Sequence, residues 1–512
     1  MRLLFLYLFF MCVFPTYGQQ LRLLPLETNF RDAAFYSDSV FAPVFPISTD
    51  QAPVYDLLKD PQKRYATFGH YLYQRELLQV IRKEGSLWIT PVLDLRMGIQ
   101  RDDSTLLQYT NIRGVRIEGS MKNKVFFSGA FYENQAILPN YVQNYVLNRG
   151  EFYPNAADSS YQQVNAVIPG GARTKPFKIN GFDYAYATGN LHYQILKNLA
   201  VSIGNTPAFI GSGYRSLIFS DNALPSMNFR IQYRIRKRWD FQLIRMQGLN
   251  MLRVPYQTNG ESMYERKAFS LATVYVNITP KLKLGFIEGG AWYRGDSLQK
   301  KPVEGGFYIP LLGAATFQEA VNKKSYSYLG TEVSWRFWRM HLYGQVGGNL
   351  FTKKSEFAQV GFRIWPLQSM NLMIQGEYNH TGSKAYMSAN PRIHYSNYNL
   401  PIGHPMAGNV DELVIRMRGD WKHLFFQTGT NFYLNQSKSS RQLLPVYEQI
   451  PTATKTVFYQ QIDLGYSFNR KYGFEVFGSL IGRYEDTGVS SNKGLWIQVG
   501  VRTALNNHYF DF

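Results

Sequence analysis

Leu424-Phe425-Phe426-Gln427-Thr428-Gly429-Thr430-Asn431-Phe432-Tyr433-Leu434 alternates along its length. Its even positions read Leu, Phe, Thr, Thr, Phe, Leu, and its odd positions carry Gln427 and Asn431. A period of two puts successive side chains on opposite faces of a strand, so one face is apolar and the other polar. The same period runs through Tyr472–Tyr484, where the odd positions include Glu475, Ser479 and Arg483. Leu495, Ile497, Val499 and Val501 alternate with Trp496, Gln498, Gly500 and Arg502. Leu413, Ile415 and Met417 alternate with Glu412, Arg416 and Arg418. Strands this long, with a polar second face, suit a barrel wall with lipid outside and a wet or packed lumen inside.

The connections divide into two kinds. Short turns fall at Lys122-Asn123, Lys197-Asn198, Arg236-Lys237, Thr279–Lys281, Arg336–Arg339, Pro366–Ser369, Asp420–Lys422 and Asn469–Lys471. Between them lie longer polar segments: Gln135–Ile179, Gly248–Arg266, Gly295–Lys323, Ser383–Gly408 and Gln436–Ala453. This asymmetry predicts an all-β fold, a transmembrane antiparallel β-barrel of about eighteen strands over residues 86–512. The sequence closes on Tyr509-Phe510-Asp511-Phe512. A terminal Phe on the last strand resembles the signal read by the barrel-assembly machinery, an expected partner during insertion.

The N-terminus points to export. Arg2, the apolar run Leu3–Phe14 and the small residues near Gly18 read as a signal peptide over residues 1–18. The single cysteine, Cys12, lies inside it, so the exported chain has no thiol for a disulfide or a metal. Residues 19–85 read as an N-terminal periplasmic segment. Phe68, Leu72, Leu77, Leu78 and Ile81 recur there at roughly helical spacing within Asp60–Lys83, which predicts a short helix before the barrel. Later stretches fall short of the roughly 18 apolar residues that a membrane helix needs. Aromatics at 16% suit the girdles of an outer-membrane wall. The formal charge of +19 does not indicate nucleic acid in an exported chain without a nucleic-acid-binding motif. It points instead to lipopolysaccharide phosphates and acidic surface polysaccharide. The expected location is the cell outer membrane, among its lipids and other outer-membrane proteins. The inward faces carry both Arg230, Arg234, Arg416, Arg418, Arg483 and Arg502 and Glu412, Asp420, Asp463, Glu475 and Glu485. Mixed signs favour compensating ion pairs over a basic conduit for an acidic glycan.

The most distinctive run is Gly204–Pro225, between expected strands Leu199–Gly204 and Met227–Ile235. It lacks the lysine of a phosphate-binding loop. Asn205, Tyr214, Arg215, Ser220, Asp221 and Asn222 are the candidate ligand-binding residues, in a loop that also constricts the lumen. The run resembles the signature stretch of the Wzi-type capsule-assembly barrels. It is especially similar to the Bacteroidota branch that includes gliding-motility-associated proteins of the RemB type. The resemblance is carried by Gly204-Asn205, Ile210–Leu217 and Ser220–Ala223. It implies a non-enzymatic role in capsule or exopolysaccharide assembly or attachment, with a link to gliding. A diffusion or uptake porin is the alternative, as is an accessory subunit of a secretion or motility complex. No cofactor and no metal is expected, since the histidines form no metal-binding pair. His394-Tyr395-Ser396-Asn397 faintly resembles a stretch of outer-membrane phospholipases, with Tyr398 in place of their glycine.

Overall fold

In a computed structural model of the protein, the alternating segments close into one antiparallel barrel. The structure describes residues 22–23, 27–36, 40–48, 67–73, 76–101, 103–155, 160–171, 173–236, 238–253, 264–294, 302–435, 443–445, 454–505 and 507–512. The expected signal peptide, Cys12 and residues 60–66 of the expected helix lie outside them. So do residues 254–263, 295–301, 436–442 and 446–453 of the expected loops.

The wall has 18 strands. They are β1 Gly85–Gln100, β2 Asp103–Met121, β3 Val125–Ile137, β4 Gly181–Leu196, β5 Leu199–Gly204, β6 Asn228–Ile235, β7 Trp239–Arg253, β8 Tyr264–Asn277 and β9 Leu282–Tyr293. The second half is β10 Ser325–Phe337, β11 Met340–Gly348, β12 Phe357–Leu367, β13 Leu372–Thr381, β14 Val410–Trp421, β15 Leu424–Asn435, β16 Lys455–Asn469, β17 Phe474–Asp486 and β18 Ser491–Arg502. β18 closes on β1, from Trp496↔Gln100 to Arg502↔Asp94. Closure pairs the strand edges that hydrocarbon would not tolerate open. Leu413, Ile415, Phe432, Ile497 and Val499 point outward, while Glu412, Arg416, Asn431 and Trp496 are buried toward the lumen. Among the described residues no helix is long and apolar enough to cross a membrane. The expected short turns are present, and Lys122, Asn123, Arg236, Trp338 and Lys422 take the positive φ that tight hairpins need. The opposite side is less uniform than expected. Only residues 101–102 separate β1 from β2, and only 487–490 separate β17 from β18.

The N-terminal segment departs from expectation in two ways. Helix α2, Thr67–Tyr73, is shorter than the expected one, and Leu78–Ile81 is a strand paired with β1 from Leu78↔Ile89 to Ile81↔Ser86. A short aliphatic run is ambiguous between the two periods. Here the free edge of β1 beyond its pairing with β18 captures it, so the sheet begins before residue 86. Second, residues 28–36 and 40–48 pack inside the barrel. Helix α1, Thr28–Tyr36, places Asp32 against Arg363 of β12 at 3.0 Å and Arg416 of β14 at 3.2 Å. The strand pair Val44–Phe45 joins Phe209–Ile210 antiparallel within the lumen. Phe30, Phe35, Phe45 and Ile47 form a core with Trp365 and Met373 of the wall. Each such side chain removed from water stabilises the plug by roughly 1.5–3 kcal/mol.

The C-terminal residues are a further correction. The last strand stops at Arg502, so Phe512 is not on it. Residues 503–505 and 507–512 turn into the lumen, where Phe512 is 3% exposed and its ring centroid is 4.3 Å from that of Tyr145. Tyr145 belongs to helix α3, Asn140–Leu147, of the loop after β3. The main-chain oxygen of Phe512 accepts from Arg483 Nε at 2.8 Å. An apolar terminus that packs against aromatic loop side chains replaces the expected placement on the last strand.

Candidate functional site: the inward loop

Residues 205–227 leave β5 and return to β6, where Gly204 and Asn228 pair. Because β5 and β6 are short, the loop departs below the rim and folds into the lumen. Gly211 has φ +129°, and a Cβ there would meet Gln345 Nε2 at 2.1 Å. Only glycine meets both conditions. Wall carboxylates then hold the loop backbone. Glu377 accepts the N–H groups of Tyr214 at 2.6 Å and Arg215 at 3.0 Å. Glu332 accepts the Ser212 N–H at 2.8 Å and the Tyr275 hydroxyl at 2.7 Å.

Arg215 is the centre of this arrangement, at 2% exposure. Its Nη2 donates to Glu412 at 2.7 Å and to Asp511 of the C-terminal tail at 2.9 Å, and its Nε reaches both Glu412 oxygens at 3.2 Å. Glu412 also contacts His404 Nε2 at 2.9 Å and accepts from Asn379 at 3.0 Å and Asn431 at 3.2 Å. A charge so far from water is tolerable only with partners of this quality.

The other candidate residues are also engaged within the protein. Asn205 accepts the Gly189 N–H at 2.6 Å and donates to Ala187 C=O at 2.8 Å, tying the loop to β4. Ser220 Oγ faces the carbonyls of Ile402 and Gly403, and Asn222 Nδ2 donates to Pro401 C=O, all in the loop after β13. Asp221 accepts from Tyr509 and Asn507 of the tail, at 2.7 Å each. Tyr214 donates to Asp511 at 2.8 Å and borders a cavity of about 270 Å³. The loop therefore joins four parts: the wall, the N-terminal plug, the C-terminal tail and an outer loop. Asp511, Glu377, Glu332 and Asp32 were not singled out from the sequence. The two wall glutamates could have been found from inward parity, whereas the other two had no sequence signal.

The inward charges form a mixed lattice. Glu475 pairs with Arg418 at 2.6 Å and Arg502 at 2.9 Å, and Arg234 pairs with Asp240 at 3.3 Å. Arg230 donates to the carbonyls of Val44 and Pro46 in the plug. In the loop after β13, Ser396 Oγ donates to Leu443 C=O and His394 Nδ1 accepts the Ser388 N–H at 3.0 Å, so the two side chains are directed to different partners. Burial, with the Lys267 charge beside it, pushes the His394 imidazole down to about 3. Its folded value is depressed below the usual 6.5, so the stability it supports is complete above pH 6.5. That stability is lost as pH falls from there toward about 3, at about 1.4 kcal/mol per pH unit. The urea midpoint should drop over this window, and His394→Gln should flatten the drop. Identical pH profiles for the two proteins would contradict this.

A closed antiparallel wall of this size, apolar outside and packed within, is that of an outer-membrane β-barrel protein. Among solved structures, the chain resembles Wzi of Escherichia coli, described as a carbohydrate-binding β-barrel involved in group 1 capsule assembly. The TM-score is 0.53 at 12% identity, over 94% of this chain and 100% of that one. It is also similar to the outer-membrane protein opdK of Pseudomonas aeruginosa, with a TM-score of 0.41 at 11% identity over 84% and 99% of the two chains. For OccAB4 of Acinetobacter baumannii the TM-score is 0.42 at 10% identity, over 82% and 98%. Likeness at such identities is one of fold. No family model and no curated protein matches the sequence.

Proposed function

We propose that the protein is a non-enzymatic outer-membrane barrel that holds or organises capsule or exopolysaccharide at the cell surface. The observation that carries this reading is the filled lumen. The inward loop and the C-terminal tail meet at Arg215, Asp221 and Asp511 through buried ion pairs and hydrogen bonds, and the N-terminal plug joins the tail where Thr28 donates to Asn507 and Arg31 donates to the Tyr509 hydroxyl. A diffusion porin, the alternative, needs a water-filled path through the same space. The basic balance of +19 supports an acidic glycan as the ligand of the outer face. The resemblance to the gliding-associated branch rests on Gly204-Asn205, Ile210–Leu217 and Ser220–Ala223, and a gliding defect is the finer expectation. A strain lacking the protein should carry less cell-bound polysaccharide and shed more into the medium. Unchanged surface polysaccharide in that strain would rule the proposal out.

A further inference from the structure

In the loop between β9 and β10, residues 302–324 fold down over the outside of the wall. The outward positions of β9 run Leu282, Leu284, Phe286, Glu288, Gly290, Trp292, so an acid stands where neighbouring strands present apolar side chains. Glu288 is nevertheless buried. It accepts the Gly313 N–H at 2.8 Å and the Thr316 N–H at 2.9 Å, at the start of helix α4, Ala314–Asn322. On β10, outward Ser325 donates to Ala315 C=O, and outward Ser327 donates through N–H and hydroxyl to Glu319. On β7, outward Arg245 donates to Phe307 and Ile309 C=O at 2.7 and 2.9 Å. Small side chains make room: a Cβ on Gly290 would meet Ala315 Cβ at 2.7 Å. The polar groups on this part of the wall are therefore covered by the loop.

The face that the loop turns away from the barrel is apolar. Phe317 is 69% exposed, and Tyr308, Leu311 and Val321 are exposed to a similar degree. This face continues the outward apolar band of Phe286, Val333 and Val346 on the adjoining strands. Directly after α4 come the exposed cations Lys323 and Lys324, the latter paired with Glu304 at 2.7 Å. Asn349 Nδ2 bonds Glu319 at 2.9 Å and holds the loop that carries exposed Lys353 and Lys354 against the helix. Apolar surface at bilayer height, with lysines on the side of the long connections, matches a lipid with several acyl chains and a phosphorylated headgroup.

We propose that the loop carrying α4 is a docking surface for a phosphorylated glycolipid of the outer leaflet, with acyl chains on Phe317, Val321 and Leu311 and phosphates on the lysines. This rests on the reading of the chain as an outer-membrane barrel, and the test separates the two. In a Cys12→Ser background, Phe317→Cys and Val346→Cys each carry a single fluorophore in reconstituted vesicles. The wall probe at 346 reports insertion, and the probe at 317 reports the loop. Quenching of both by lipids brominated on their chains, with little quenching by aqueous iodide, is the expected result. Quenching of 346 by lipid but of 317 by iodide overturns the docking surface and leaves the barrel standing. Loss of lipid quenching at 346 overturns both. A disulfide between Phe317→Cys copies in the membrane would assign the face to a second copy and overturn the proposal. The triple variant Lys323→Glu/Lys353→Glu/Lys354→Glu should lower the phosphorylated glycolipid that co-purifies from outer membranes roughly tenfold or more. Unchanged co-purification overturns the headgroup assignment.

Discussion

Replacing Arg215 by methionine is expected to destabilise the folded barrel by about 3–5 kcal/mol, the usual cost of removing one partner from a buried ionic cluster. Methionine fills much of the volume but leaves Glu412 and Asp511 facing each other without the cation that joins them. Glu412, at 1% exposure, cannot recover its loss from solvent. The double variant Arg215→Met/Glu412→Gln removes one stranded charge and should regain part of the stability. Urea unfolding in lipid vesicles reads both. A midpoint for Arg215→Met equal to that of the unaltered protein would show that the inward loop is held by something other than this cluster.

Deletion of residues 503–512 is the second large effect. The tail fills lumen space, supplies Asp511 to Arg215, and supplies Asn507 and Tyr509 to Asp221. Its removal joins the cavity of about 270 Å³ beside Tyr214 and Asp511 to the space the tail occupied. The tail-less protein is expected to insert and to conduct ions in planar bilayers, with strand content unchanged by circular dichroism. A folded, inserted and electrically silent variant would mean that the plug and the inward loop close the barrel without the tail.

Most of the wall was legible because parity alone reports it. Leu413, Phe432 and Ile497 face outward, and Glu412, Asn431 and Trp496 face inward, as their alternation indicates. Strand number followed from the turns, since a tight hairpin such as the one at Lys122-Asn123 leaves a local signature. Apart from the inward loop, what occupies the lumen was not legible, because its contacts join residues far apart in the chain. Asp32 and Arg363 meet at 3.0 Å, and nothing near either residue announces the other. Leu77-Leu78-Gln79-Val80-Ile81 reads equally well at either period, and only the vacant edge of β1 decides it. Phe512 was read from its position in the sequence, although its ring belongs with Tyr145. The inward loop was found by its residues. Arg215, Ser220, Asp221 and Asn222 hydrogen-bond within the protein, and Tyr214 borders a cavity. The loop over the outer wall did leave a trace in the sequence, in Glu288 at an outward position of β9.

The filled lumen is the claim on which the proposed function depends, and single-channel recording of the intact protein tests it most directly. Purified full-length barrel, inserted in planar bilayers and shown to be folded, is predicted to pass no sustained ionic current. Stable open-channel steps from the intact protein would contradict the account and assign the lumen to transport.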